Sequence, residues 1–359
     1  MREACILSFC IICIEPKQIS QRSWGRGFVR DRGTNQGGDM NMRSTSLVTT
    51  LAVLGTLLTP ALSWAGDKPL TIMLSSPDLA FPFSVHIMKE MQDEAAKLGN
   101  INVVVSDGQR NSSKQSADIE AAIAKGVDGI VISPNDSAAL APAIQEAIDA
   151  KIPVVTVDRS IDSVKGIFAH VGADNVKGGE VQGQLIIKLF PGGARVMNLQ
   201  GQPGTSAAID RNKGLHNALD PLAAKYKFVF EDTAGFDRAK GLSMTESALA
   251  SMATPPDAIA AANDDMALGA LEALKARDLT DKVKLIGFDA LPESLGKVRD
   301  GAMTGTIEQM PGKQGRQAVD ILVAFVRDGK APEKKITLLT PIAVTKDNLD
   351  AGERLGELK

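Results

Sequence analysis

The stretch IPVVTVDRS, residues 152–160, decides the fold class of this chain. It contains an unbroken run of apolar and β-branched residues, 153–157, that ends at Asp158 and Arg159. Unbroken apolarity is typical of a strand that is buried on both faces, as in a parallel sheet. Open parallel sheets bind ligands just beyond the carboxyl ends of their strands. The stretch therefore predicts a parallel sheet with a polar site at its edge.

Similar apolar runs recur between residues 66 and 359 and alternate with segments of helical spacing. Strands that alternate with helices are typical of βαβ units, so the predicted fold class is α/β. In the first helix, the spacing predicts a buried face that contains Val85, Met88, Met91 and Ala95. The predicted strands are 70–74, 101–105, 129–132, 153–157, 194–199, 228–230, 258–262, 283–288 and 303–307. The predicted helices are 83–98, 113–125, 138–150, 239–253, 266–276 and 313–327.

The length of this part predicts two α/β lobes. Single cores stop growing at about 250–300 residues, and residues 66–359 reach that size. The polar, glycine-rich stretch GADNVKGG, from Gly172 to Gly179, follows four β-α units and precedes another set. We expect this stretch to be the first passage between the lobes.

The first 65 residues have a different character, because they contain all three cysteines and both tryptophans. Residues 40–65 resemble a secretory signal, with Arg43, an apolar stretch at 47–62 and a small-x-small cleavage site at 63–65. The apolar stretch is short for a membrane anchor, which needs about 20 residues. We expect export, translation from the methionine at 40 or 42, and a non-native or unstructured extension at 1–39.

Composition and motifs argue against several function classes. A net charge of −3 gives no reason to expect nucleic acid as a partner. Residues 66–359 lack cysteine, GxGxxG after the first strand, GxxxxGK[ST], GxSxG and HExxH. His86, His170 and His216 are widely spaced and are expected to be surface or packing residues. We therefore predict no cofactor, no metal and no enzymatic activity.

An acid–base pair of Asp158 and Asp289 for glycoside cleavage is the enzymatic alternative. The neighbouring Arg159 would lower a carboxyl pKa, which suits binding better than general acid catalysis.

Polar residues come directly after the apolar strands in both halves of the chain. Each could be a helix cap or a turn residue, but together they would converge on one cleft if two lobes face each other. Carboxylates, guanidinium groups and carboxamides together can bond hydroxyls, which both donate and accept. Phe83 and Phe236 lie in loops and could stack on a sugar ring, whereas ordinary core packing would be the alternative. The residues after the strands are Ser133, Asp158, Arg159, Asn263, Asp289 and Gln309.

Several sequence motifs follow one another along the chain: GVDGIVISPND (126–136), IPVVTVDRS (152–160), GADNVKGGEVQG (172–183), GTSAAIDRNKG (204–214), ANDDMALGAL (262–271), LIGFDALPE (285–293) and IEQMPGKQG (307–315). In this order they resemble the ribose-binding branch of the periplasmic sugar-binding proteins, and the resemblance spans about 70–345. It implies two Rossmann-like lobes, each a parallel sheet flanked by helices, joined by three hinge crossovers of the type I periplasmic binding fold. It also implies an N-terminal lobe of 66–172 plus 310–338 and a C-terminal lobe of 173–309 plus 339–359.

By the same resemblance, the chain captures a monosaccharide in the periplasm and delivers it to an ABC-type permease. The chain departs from the ribose binders at Phe81, Ser84 and Ser133, where the family has Asn, Phe and Asn. We therefore expect a related pentose, another monosaccharide or a sugar alcohol, with ribose itself in doubt. The predicted ligand-binding residues are Phe81, Phe83, Ser84, Ser133, Asp158, Arg159, Arg211, Phe236, Asn263, Asp289 and Gln309.

Two binding roles compete with transport. A sugar-responsive transcription regulator shares this core but needs an N-terminal helix-turn-helix, and the apolar run and cleavage site of residues 1–65 disfavour it. A sensor that presents the sugar to a chemoreceptor or sensor kinase is the closer alternative. The protein is expected to be a monomer.

Overall fold

The computed structural model describes residues 68–358, and the predicted signal peptide and N-terminal extension lie outside them. The strands alternate with helices along the chain. Within the described range the strands are β1 (Leu70–Ser76), β2 (Ile101–Asp107), β3 (Gly129–Ile132), β4 (Val154–Val157), β5 (Ala169–Ala173), β6 (Ala194–Gln200), β7 (Tyr226–Thr233), β8 (Ala258–Ala261), β9 (Lys284–Ile286), β10 (Gly305–Glu308), β11 (Ile336–Leu339) and β12 (Ile342–Thr345).

Polar residues begin many of the helices, because a side-chain oxygen there accepts a bond from a backbone N–H that has no partner in the helix. Asn111, Asp174, Thr205, Asp237 and Asn263 cap their helices in this way. None of the helices in the described range is long and apolar enough to cross a membrane. The helices are α1 (Pro82–Leu98), α2 (Ser112–Lys125), α3 (Ala141–Asp149), α4 (Asn175–Leu189), α5 (Ser206–Leu219), α6 (Arg238–Ser251), α7 (Asp264–Lys275), α8 (Pro292–Arg299) and α9 (Pro311–Asp328).

The strands form two six-stranded sheets. The first has the order β11-β5-β4-β3-β1-β2, with every neighbouring pair parallel. The second has the order β12-β10-β9-β8-β6-β7, and only β12 runs antiparallel. The central strands β3, β4 and β8 are buried along their whole length, as unbroken apolar runs predict.

The chain passes three times between the sheets, after β5, after β10 and after β11. We call the first sheet with α1, α2, α3 and α9 the first lobe, and the second sheet with α4 to α8 the second lobe. The predicted fold of two α/β lobes joined by three crossovers is confirmed. The exact lobe boundaries taken from the resemblance remain a prediction.

One prediction from local pattern is wrong. Val85 is 49% exposed, and Ile87 takes its place on the buried face of α1. The first passage between the lobes does lie within the glycine-rich stretch from 172 to 179, because β5 ends at Ala173 and α4 begins at Asn175. The glycines inside α4 serve close packing: a Cβ at Gly179 would lie 2.1 Å from the backbone oxygen of Arg211 in α5.

Strands β5, β11 and β12 are absent from the predicted set. His170 and Gly172 interrupt the apolar run of β5, so its sequence lacks the signal of a buried strand. In β11, exposed and half-buried residues alternate because the strand lies at the edge of its sheet. These strands form through pairing with their neighbours, which a local pattern does not report.

Candidate functional site

A cavity lies between the two lobes, at the carboxyl ends of their strands. In this conformation its volume is about 30 Å³. Ten of the eleven predicted site residues line it, and Ser133 does not. The lining residues are Phe81, Phe83, Ser84, Asp158, Arg159, Ala207, Arg211, Phe236, Asn263, Asp265, Asp289 and Gln309.

The lobes contact each other beside this cavity. The backbone N–H of Ser137 donates to the oxygen of Gly204 at 3.0 Å, and that of Ser160 donates to Ser206 Oγ at 2.9 Å. Each of these bonds joins the first lobe to the second. The described conformation therefore has the cleft closed on this side.

Asp158 and Arg159 come directly after β4 and are both 7% exposed. Ser133 Oγ donates to Asp158 Oδ2 at 3.0 Å, so Ser133 lies behind the aspartate and orients it. Arg159 Nε lies 3.7 Å from the same carboxylate oxygen. Burial lowers the pKa of Arg159, and the negative charge of Asp158 opposes that effect. The pair presents one acceptor and one donor group from the first lobe.

Arg211 lies on α5 and is held from several directions. Its Nε donates to Asn175 Oδ1 at 2.8 Å, and its Nη1 donates to the backbone oxygen of Ala262 at 2.7 Å. Its guanidinium carbon lies 3.8 Å from the ring centroid of Phe288, which is fully buried. These contacts fix a guanidinium group at the wall of the second lobe. Phe288, a core residue, thus also supports a residue that lines the cavity.

Asp289 and Gln309 lie just after β9 and β10 and contact each other. Gln309 Nε2 donates to Asp289 Oδ1 at 2.6 Å, and Arg211 Nη1 lies 3.3 Å from the same oxygen. Burial raises the pKa of Asp289 to about 7, against the opposing charge of Arg211. Gln309 Oε1 is buried and has no hydrogen-bond partner. A buried acceptor without a partner is costly, so a donor from a ligand would satisfy it.

Aromatic rings line the cavity from both lobes. Phe81 is the N-cap residue of α1, and Phe236 precedes α6. Phe83 lies in the first turn of α1 rather than in a loop as the sequence predicts, because the helix begins at Pro82. Phe236 has a φ of 60°, and its ring packs so closely on Gly201 that a Cβ there would lie 2.3 Å from the Phe236 Cζ. The ring centroid of Phe236 lies 5.6 Å from the guanidinium carbon of Arg159. The loop glycine thus makes room for an aromatic wall.

Asn263 combines the two roles that its sequence position left open. Its Oδ1 accepts from the backbone N–H of Met266 at 3.0 Å and caps α7, yet the residue also lines the cavity. Because capping uses Oδ1, the Nδ2 group can face a ligand.

Sequence reasoning missed Asp265 and Ala207 as lining residues. Asp265 lies two positions beyond Asn263, close to the end of β8, so the rule of polar residues after strands could have found it. Burial raises its pKa, and the contact with Arg238 at 3.2 Å opposes that effect. Ala207 is a small apolar residue in the first turn of α5, and nothing in the sequence marks it.

The arrangement is suited to binding neutral hydroxyl groups. Carboxylates, guanidinium groups and two carboxamides line a space that aromatic rings also border, which matches the donors, acceptors and apolar faces of a cyclic polyol. In the described range, no group of three or more His, Cys, Asp or Glu residues is arranged to hold a metal ion. The fold and the cleft together define a two-lobed solute-binding protein.

The comparisons with known proteins agree with that class. The family model for a periplasmic binding protein domain matches residues 72–331. The ribose import binding protein of Bacillus subtilis is 39% identical over 275 residues, which cover 75% of this chain and 86% of that protein. The chain therefore belongs to the periplasmic binding protein family.

Two solved structures are also similar. The Caulobacter myo-inositol binding protein, bound to myo-inositol, is 42% identical with a TM-score of 0.78, and the match covers 81% of this chain and 98% of that one. A solute-binding protein from Bacillus halodurans with bound myo-inositol is 29% identical with a TM-score of 0.75, and the match covers 79% and 98%.

The family confirms the prediction of a substrate-binding protein of the sugar-binding, ribose-binding-like class, and it favours this role over the sensor alternative. Its members are solute-binding proteins rather than enzymes, which fits the prediction of no catalysis. The same relatives imply a periplasmic location. The assignment of each side chain to ligand binding stays a prediction.

Proposed function

We propose that this protein captures a neutral cyclic polyol or monosaccharide between its lobes, with myo-inositol as the first candidate, and delivers it to an ABC-type importer. The observation that carries the proposal is the unpartnered, buried Gln309 Oε1 at a cavity lined by mixed donors and acceptors. A ligand hydroxyl would donate to this oxygen. The bound sugar alcohol of two similar solved structures supports the choice of ligand.

Each lobe would supply part of the recognition. Asp158 and Asp289 would accept hydroxyl bonds, while Arg159, Arg211 and the Asn263 amide would donate them. Phe83 and Phe236 would stack on the C–H faces of the ring. Because the contacts come from both lobes, the ligand would stabilise the closed form over the open one.

The departures from the ribose binders favour a ring with a different pattern of hydroxyls. Phe81 and Ser84 line the cavity at positions where the family loop has Asn and Phe. Ser133 orients Asp158 instead of reaching the cavity. The first lobe would therefore recognise its ligand through fewer carboxamides than a ribose binder does.

The proposal includes several roles outside the cleft. The chain would act as a monomer in the periplasm after cleavage near residue 66, and its closed form would be recognised by a permease in the inner membrane. It would return its ligand chemically unchanged. Size determination in solution, N-terminal sequencing of the exported protein and mass spectrometry of recovered ligand test these statements separately.

A thermal-shift screen tests the binding role. The panel is myo-inositol, ribose, other pentoses, hexoses and sugar alcohols. A ligand at 100 times its Kd stabilises the native state by about 2.7 kcal/mol, which corresponds to a shift of about 4 °C for a protein of this size. We expect this shift with myo-inositol and its loss in Asp158→Ala. Asp149→Ala, an exposed aspartate at the end of α3, is the matched control. No shift with any compound in the panel would contradict the proposal.

A further inference from the structure

Arg110 lies outside the cavity, in the loop between β2 and α2. The loop has an unusual conformation, with φ of 52° at Gln109 and 57° at Arg110. The backbone N–H of Arg110 donates to the oxygen of Pro77 at 2.9 Å, which fixes the loop on the first lobe. Its side chain is 34% exposed and extends across the cleft.

The guanidinium group of Arg110 contacts residues of both lobes. Nη1 donates to Asp237 Oδ2 at 2.9 Å, and Nη2 donates to the backbone oxygen of Gly235 at 2.8 Å. Its central carbon lies 4.4 Å from the ring centroid of Phe81. Gly235 and Asp237 flank Phe236 on either side in the sequence. One side chain thus covers an aromatic residue of the first lobe and holds the loop that carries an aromatic residue of the second.

We propose that Arg110 is a positioning residue that couples the placement of Phe81 and Phe236 around the ligand to closure of the lobes. This inference rests on the proposed function, since it assigns how two walls of the same cleft are held. Arg110 itself does not line the cavity. It would act through the two phenylalanines that do.

Arg110 couples the Phe236 loop to closure because its hydrogen bonds cross from one lobe to the other. The bonds to 235 and 237 join different lobes, so opening the cleft breaks them. Asp237 also caps α6 by accepting from the backbone N–H of Lys240 at 2.9 Å. That bond and the charge of Arg110 lower the pKa of Asp237, which keeps it ionised at neutral pH. The position of the Phe236 loop is therefore tied to both the helix and Arg110.

The expected contribution of Arg110 to closure of the lobes is modest, because its ion pair with Asp237 is partly exposed. Only the ion pair with Asp237 and the bond to the Gly235 carbonyl join the two lobes, and partly exposed contacts of this kind are individually weak. Together they would shift the ratio of closed to open protein about tenfold. Apparent affinity scales with the fraction of the binding-competent form. Loss of the side chain should therefore raise the Kd about tenfold and accelerate dissociation.

A purely local role makes a different prediction. Arg110 Nε lies 3.8 Å from Asp78 Oδ2 within the first lobe, and this contact would only stabilise the loop. Removal of such a contact lowers the melting temperature of the ligand-free protein and leaves the Kd unchanged. Affinity, dissociation rate and ligand-free stability together separate the two roles.

Calorimetry with myo-inositol on the full-length mature protein tests the inference. We expect Arg110→Ala to bind about ten times more weakly than wild type with a similar ligand-free melting temperature. Arg110→Lys should fall between them, because it keeps the charge but loses the planar group. Asp237→Asn keeps the helix cap and removes the ion pair, so its effect should be largely absent in the Arg110→Ala background. Gln109→Ala, the exposed neighbour, is the control. An unchanged Kd and dissociation rate in Arg110→Ala would overturn the inference.

A second measurement separates this inference from the proposed function. Residues 66–359 contain no cysteine, so spin labels can be placed at Glu120 of α2 and Glu246 of α6, both exposed, without competing thiols. If the wild-type protein binds none of the panel, the proposed function fails. The distances between the labels then still test whether Arg110 stabilises the closed form. Longer distances in ligand-free Arg110→Ala than in wild type support the coupling. Identical distributions overturn it.

Discussion

The substitution Asp289→Asn tests the electrostatics of the cleft. Asp289 is 4% exposed, and burial raises the pKa of its carboxyl to about 7 from an ordinary value of 3.8. Asparagine keeps the shape and an oxygen for Arg211 and Gln309, and it tolerates the φ of 108° at this position better than most residues. The variant therefore removes the charge with little change in packing.

The expected change in the free energy of unfolding follows from the linkage between protonation of Asp289 and folding. Between pH 3.8 and about 7, the unfolded chain has lost the proton of Asp289 while the native state keeps it. The free energy of unfolding of wild type therefore falls as the pH rises through this window. At about 1.36 kcal/mol for each pH unit, the full interval corresponds to about 4 kcal/mol. The Asp289→Asn variant has no carboxyl to titrate at this position, so its stability does not fall in this way. Its free energy of unfolding relative to wild type should therefore increase with pH.

Urea unfolding of ligand-free wild type and Asp289→Asn at several pH values from 4 to 8 measures this difference. Buried carboxyls whose pKa does not depend on Asp289, such as Glu308, titrate in both proteins and cancel in the comparison. The charge of Asp289 also raises the pKa of Asp264, and loss of that charge in the variant changes the relative stability in the same direction. We expect the variant to gain about 2–4 kcal/mol relative to wild type between the two ends of the range. A stability difference that stays constant across the pH range would refute the reasoning. In the same variant, myo-inositol affinity should fall above about pH 7, where wild-type Asp289 is ionised and the variant lacks a charged acceptor.

Two further substitutions test the second lobe. Gly214→Ala should lower the free energy of unfolding by about 1–3 kcal/mol, because its Cβ would lie 1.9 Å from the backbone oxygen of Val176, whereas Gly192→Ala meets open space and should not. Urea unfolding distinguishes them, and equal stabilities would contradict the packing argument. Arg211→Lys should weaken myo-inositol binding about a hundredfold in calorimetry, since lysine cannot keep the same set of bonds. The exposed Arg277→Lys should bind normally; an affinity of Arg211→Lys equal to that of this control would refute the role of Arg211.

The polar residues after the strands show which site residues a local sequence pattern can predict. Asp158, Asn263 and Asp289 are predictable as site residues because a parallel sheet places the ends of its strands along one edge. The structure brings them to one cavity. The pattern could not tell a cap from a site residue, and Asn263 shows that the two roles coexist.

The glycines of α4 show the opposite case. Their sequence resembles a loop, because glycine is unfavourable in the middle of an isolated helix. In the fold, α4 packs so closely on α5 that larger side chains do not fit. Tertiary packing overrides the local preference, so the sequence pattern does not predict this helix.

The sequence by itself determined the α/β class, the buried strands and most of the residues at the cleft, since these depend on apolar periodicity and on the residues just beyond the end of each strand. Tertiary structure alone decided how the two lobes face each other. It decided separately the orientation of Ser133 behind Asp158, which depends on the pairing of β3 with β4 inside the first lobe. It also decided the contact between Arg110 and Asp237, which are 127 residues apart. The physical reason is that periodicity records burial along one element, whereas a hydrogen bond between lobes depends on how whole elements are placed.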